Sequence, residues 1–285
     1  MSNKNTVIDV NDLQLNVVQA GPEQGPLVIL LHGFPEFSYA WRYQIPALAE
    51  AGYRVWAPDQ RGYNLSSKPA KLKAYALDEL ASDVVGLMDA AGVQSAHVVG
   101  HDWGGVVAWW TAIRYPQRVQ RLVVMNVPHP AVMRRHLLSN FKQLRKSWYM
   151  FFFQLPVLPE WLARRKEWKL PAVTLKGTSR RGTFNTGDLR LYKAAWAQPG
   201  AYKGMLNWYR AMFRTRPERV DSNRVTMPVR ILWGVHDKFL SVEMARDSLE
   251  FCDAGELKLF EDATHWLQHE EPERVNTELL EFLQK

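Results

Sequence analysis

Three residues far apart in the 285-residue chain have the side chains needed for nucleophilic chemistry: Asp102, Asp237 and His265. Asp102 stands in Gly100-His101-Asp102-Trp103-Gly104, a G-x-D-x-G run with apolar Val98-Val99 before it and helix-like Val106 to Arg114 after it. An aspartate carboxylate is ionised at neutral pH and needs no base before it attacks carbon. Flanking glycines let a strand and a helix approach closely around a tight turn. The side chain between them projects near the helix N-terminus, where amide dipoles favour negative charge. Taken alone, the segment also reads as an aspartate helix cap in a glycine turn.

The other two residues give Asp102 a context. Asp237 follows Pro228 to Trp233 in Gly234-Val235-His236-Asp237, and His265 follows Glu256 to Phe260 in Asp262-Ala263-Thr264-His265. An acid just beyond one strand can orient a histidine just beyond the next, and that histidine can then take a proton from water. His236 is expected to be a loop residue. His269 lies four residues after His265, but H-E-x-x-H is absent and no third ligand is evident, so no metal and no cofactor are expected. His32-Gly33-Phe34-Pro35 follows the apolar run Leu27 to Leu31. The backbone N–H groups of Phe34 and Trp103 are therefore candidates for a two-donor oxyanion hole, against an ordinary Gly-Pro turn.

These residues need a scaffold that gathers strand ends. Leu27 to Leu31, Tyr53 to Ala57, His97 to Gly100, Val119 to Asn126, Pro228 to Trp233 and Glu256 to Phe260 are short β-prone runs separated by helical stretches. That alternation predicts an α/β fold with a mostly parallel sheet flanked by helices. Between about Pro130 and Arg224 it stops. Aromatic-rich helical segments broken by prolines take over, so a helical cap at 131–224 is expected between two halves of a core, 1–130 and 225–285.

Charge follows the same division. Residues 131–224 hold twenty Lys/Arg against five Asp/Glu, a net of +15, while the rest of the chain carries −8. A basic segment suits an anionic partner, but no zinc-ligand spacing or recognition helix accompanies it, and no nucleic-acid partner is expected. The polar start, Met1 to Asp12, lacks the apolar core of a signal peptide. Trp148 to Phe153 is too short to span a bilayer. With the single Cys252, these features point to a cytoplasmic enzyme, and they leave monomer and homodimer both open.

With His32-Gly33-Phe34-Pro35, Gly100-His101-Asp102-Trp103-Gly104-Gly105, Asp237 and His265 in this order, the chain resembles the epoxide hydrolases of the α/β-hydrolase superfamily over nearly its whole length. The resemblance extends into the cap, where Tyr149 and Tyr209 match the two tyrosines that hold the epoxide oxygen in that family. It implies that a small-molecule epoxide is opened by Asp102 to an ester, and that water activated by His265 and Asp237 then releases a vicinal diol. Trp148, Phe152, Trp208 and Pro35 are the expected substrate contacts, with an apolar or aryl epoxide suggested by the aromatic cap. The alternative is a haloalkane or haloacid dehalogenase, which shares the aspartate and the Asp-His pair. A halide needs N–H donors and no proton, so Phe34 after His-Gly and the paired tyrosines favour the epoxide. Position 102 is not serine, which disfavours a serine esterase. A non-catalytic binding protein would retain its function without Asp102.

Overall fold

In the computed structural model, which describes residues 4–284, eight strands form one sheet. They are β1 (Lys4–Val10), β2 (Leu13–Ala20), β3 (Leu27–Leu31), β4 (Arg54–Pro58), β5 (Ala96–His101), β6 (Val119–Met125), β7 (Val225–Gly234) and β8 (Cys252–Phe260). Their spatial order is β1-β2-β4-β3-β5-β6-β7-β8. The six strands from β4 to β8 in that order are parallel, and β1 and β2 add an antiparallel edge. This is the α/β-hydrolase architecture.

Strand period two builds the layers. Leu27, Ile29 and Leu31 of β3 enter one core, and Val28 and Leu30 enter the other. Leu122 and Val124 of β6 alternate in the same way with Val123 and Met125. Both faces are covered, so these strands are apolar throughout. One face packs on α1 (Gln44–Glu50), with Ile45 and Leu48, and on the C-terminal α12 (Pro272–Leu283), with Val275, Leu279 and Phe282. The other packs on α2 (Leu77–Ala90), α3 (Trp103–Arg114) and α10 (Val242–Ser248).

Six helices lie between β6 and β7: α4 (Pro130–Ser139), α5 (Phe141–Lys146), α6 (Trp148–Phe152), α7 (Leu158–Thr178), α8 (Thr186–Ala197) and α9 (Ala201–Arg214). A short α11 (Leu267–Glu270) precedes α12. Sequence reasoning misses the β1–β2 hairpin. Most β1 side chains are solvated and it is an edge strand, so its apolar signal is weak. Met1 to Asn3, part of the polar start, lie outside the described residues.

Candidate active site

Parallel register brings the chemistry to one edge. Leu31 pairs with Gly100, His101 with Met125, Met125 with Leu232 and Gly234 with Phe260. The loops after β3, β5, β6, β7 and β8 therefore leave the same carboxyl edge, carrying Phe34, Asp102, Asn126, Asp237 and His265.

Asp102 occupies the turn between β5 and α3 with φ 50° and ψ −122°, a strained conformation for a non-glycine residue. The turn survives because the backbones around it lack side chains. A Cβ on Gly104 would lie 2.1 Å from the Leu31 carbonyl oxygen, and one on Gly33 would lie 2.5 Å from the Asp102 Cβ. The Phe34 N–H donates to Asp102 Oδ1 at 2.8 Å. Trp103 is the first residue of α3, so its N–H has no acceptor within the helix.

His265 stands between two carboxylates. Its Nδ1 donates to Asp237 Oδ2 at 2.7 Å, and its Nε2 is 3.5 Å from Asp102 Oδ2. Burial alone would pull the imidazole down, but the charge of Asp237, with Asp102 beside it, outweighs this and pushes it up to about 10. Burial in turn pushes the Asp237 carboxyl up. The charged His265, the Leu240 N–H and the Asn126 amide overcome that and hold it below its ordinary value. Asp237 also accepts from the N–H groups of Phe239 at 2.6 Å and Leu240 at 3.0 Å, so it closes its own loop as well as orienting the histidine.

Asn126 is a residue that sequence reasoning missed. Its Nδ2 donates to Asp237 Oδ2 at 2.6 Å while its Oδ1 accepts from the Gly234 N–H. The signal available in the sequence was an asparagine directly after an apolar strand. A second missed group lies behind the site. Glu36, fully buried, is 2.7 Å from both the Tyr192 hydroxyl and His269 Nε2. Burial pushes its carboxyl up, but the adjacent His269 and His101 hold it well below the usual range. His101 Nε2 donates to the His265 carbonyl at 2.7 Å, which connects this buried cluster to the backbone of the loop that carries His265. His269 is therefore a buried hydrogen-bonding residue, and His236 lies exposed in its loop.

Opposite Asp102, α5, α6, α7 and α9 of the insertion line a cavity of about 910 Å³. Its lining includes Asp102, His265, Phe34, Pro35, Tyr149 and Tyr209, together with Trp148 and Phe152. The rings of Tyr149 on α6 and Tyr209 on α9 meet edge to face at 6.0 Å. Burial and then the Asp102 charge raise both phenols, so they are protonated donors at neutral pH. Gln154 holds the two helices together, its Nε2 donating to the Met150 and Tyr209 carbonyls at 3.0 Å each. Arg210 adds a clamp: it donates to the Phe153 and Leu155 carbonyls and pairs with Glu160 at 2.7 Å. Phe153, Tyr202, Phe239 and Trp266 complete the aromatic lining and were not singled out by sequence.

Trp208 requires a correction. It does not line this cavity: its indole N–H donates to the Arg61 carbonyl, and its ring packs edge to face on Tyr63 and Trp103. Trp208 and Tyr209 are consecutive on α9, about 100° apart around the helix, so the cavity receives the tyrosine and the core receives the tryptophan. Phe151 and Phe213 face outward and touch each other at 5.6 Å.

The fold and the carboxylate–histidine–carboxylate row define an α/β hydrolase with an aspartate at the nucleophile turn, and residues 26–272 match the α/β-hydrolase-fold family. The chain is 43% identical to the AB hydrolase superfamily protein YfhM of Bacillus subtilis, over 97% of this chain and 96% of that one. It is 39% identical to epoxide hydrolase 1 of Caenorhabditis elegans, over 98% of this chain and 70% of that protein. A crystal structure of a variant epoxide hydrolase from Bacillus megaterium superposes with a TM-score of 0.90 at 32% identity, covering 98% and 100% of the two chains. The chain belongs to the epoxide hydrolases, the aspartate-nucleophile branch of the α/β-hydrolase superfamily. It is an enzyme that acts on a small-molecule epoxide through an aspartate nucleophile and a His-Asp pair. None of its described helices is long and apolar enough to cross a membrane.

Proposed function

We propose that Asp102 is the nucleophile, that Tyr149 and Tyr209 receive the epoxide oxygen, and that His265 and Asp237 activate the water. The observation that carries this assignment is the row Asp102–His265–Asp237, facing two protonated phenols across one apolar cavity. An Asp102 oxygen attacks an epoxide carbon, that carbon–oxygen bond breaks, and the oxygen takes a phenol proton. The products are a β-hydroxyalkyl ester on Asp102 and a phenolate, to which the resting imidazolium can return a proton.

Ester formation also prepares the second step. The raised affinity of His265 for its proton comes partly from the charge of Asp102. Esterification removes that charge, so the imidazole gives up its proton more readily and becomes a base. Water then loses a proton to Nε2 and attacks the ester carbonyl carbon. The Phe34 and Trp103 N–H groups stabilise the oxyanion, and collapse releases the diol and restores the Asp102 carboxylate.

Trp148, Phe152 and Pro35 contact the apolar part of the substrate, which favours an aryl or alkyl epoxide. Residues 131–224 act as the cap on a core of 1–130 and 225–285. The protein works in the cytoplasm as a monomer or homodimer, and the buried free thiol of Cys252 is in keeping with a reducing compartment. His265→Gln tests the scheme: the protein should gain the mass of one epoxide under single-turnover conditions and release diol slowly. A folded His265→Gln protein that never carries the adduct would falsify the assignment.

A further inference from the structure

Apolar exposure is distributed unevenly over the surface. Of the seventeen large apolar side chains that stand exposed among the described residues, fourteen lie between Leu138 and Phe213, in the inserted helices. Phe141 is 80% exposed, Leu138 79% and Val157 73%, values that leave nearly the whole side chain in water. Scattered exposed leucines need no explanation, but concentration on one part of a fold marks an interaction surface.

Eleven of these fourteen lie in residues 138–176, and that stretch is cationic. Residues 138–176 contain eight Lys/Arg against two Glu, and one of those, Glu160, is bound to Arg210. Arg145, Arg164, Lys166 and Lys169 pair with no carboxylate among the described residues, while Arg165 lies 4.6 Å over the ring of Trp161. The segment also borders the cavity entrance. Arg145, Trp148, Leu170 and Thr174 line the cavity and are exposed, so they mark its mouth.

We propose that this face of the inserted helices docks on an anionic lipid surface with the cavity mouth against the bilayer. Aromatic and aliphatic side chains mixed with unpaired cations suit an interface of acyl chains and negative headgroups. A second copy of the chain fits less well, because it would press two strongly cationic faces together. Docking would let an apolar epoxide pass from the lipid directly into the cavity, and the anionic cytoplasmic leaflet offers such a surface.

Co-sedimentation of the full chain with vesicles tests this, using phosphatidylcholine alone and phosphatidylcholine with about 30% phosphatidylglycerol. The parent should bind the anionic vesicles at least about tenfold more strongly, and about 1 M salt should weaken that binding. Arg164→Glu/Lys169→Glu and, separately, Phe141→Ser/Trp161→Ser should each lose about tenfold in partition while turning over a water-soluble epoxide as the parent does. Equal binding to the two vesicle types, or binding unchanged in both variants, would overturn the proposal. So would a dimer, seen by light scattering, that Phe141→Ser/Trp161→Ser disperses. Vesicle binding is read without turnover, so a failure of the catalytic assignments leaves this test standing.

Discussion

The row Asp102–His265–Asp237 is electrostatically coupled, and in the proposed mechanism its protonation changes during turnover. In the resting enzyme the imidazole, held up to about 10, carries a proton at neutral pH between two carboxylates. Base catalysis requires the neutral ring, and that form gains population as pH rises. Because esterification neutralises one of the two carboxylates, ester breakdown should accelerate with pH around a midpoint clearly below about 10, the resting value. Rapid-quench kinetics of the ester, set beside an NMR titration of His265 in resting enzyme, measures both midpoints. Coincident midpoints would argue that Asp102 exerts no charge control over the base. The protonated pair also contributes to folding. Its stabilisation is complete below the unfolded histidine value of 6.5 and is lost as pH rises through about 10.

At the scale of elements, the site depends on clamps between helices that carry no chemistry. Arg210 on α9 is buried and ties the end of α6 to α7 through two carbonyls and Glu160. Its guanidinium fork suits several acceptors at once, which an ammonium point charge would not match. Arg210→Met keeps much of the volume but leaves Glu160 without its partner and two carbonyls unpaired. The variant should lose about 3 kcal/mol of stability, measured as a lower urea midpoint. A change under about 0.5 kcal/mol would mean that the clamp is solvated in solution. The tyrosines on α6 and α9 would then owe their spacing to Gln154 and ring packing instead.

For the whole molecule, buried histidines contribute to the response to acid. Burial lowers His97 and His129 to about 4 from the ordinary 6.5, although the Asn223 carbonyl partly supports a proton on His129. The unfolded chain takes up these protons first, so stability present above pH 6.5 is lost progressively as pH falls towards about 4. The two together should weaken folding by a few kcal/mol, about 2 each. Urea unfolding at stepped pH values checks this, and a midpoint constant between about pH 7 and about pH 4.5 would contradict it.

Sequence alone determined the reading of Asp102, Asp237 and His265, the parallel sheet and the position of the inserted helices. Each depends on local order: an apolar run, a glycine turn, then a side chain at a strand's carboxyl end. The tight turn around Asp102 was legible because glycines permit such close backbones, while its strained φ emerged only in the structure. Tertiary structure decided what depends on direction and on distant partners. It turned Trp208 into the core and Tyr209 into the cavity, although they are neighbours in sequence, because helical rotation separates them. It also brought Asn126 to Asp237, and Glu36 to His101 and His269, through contacts between residues far apart in the chain. No local pattern encodes those contacts. The edge strand β1 stayed hidden for a related reason: its pairing with β2 is made by the backbone, while most of its side chains face water.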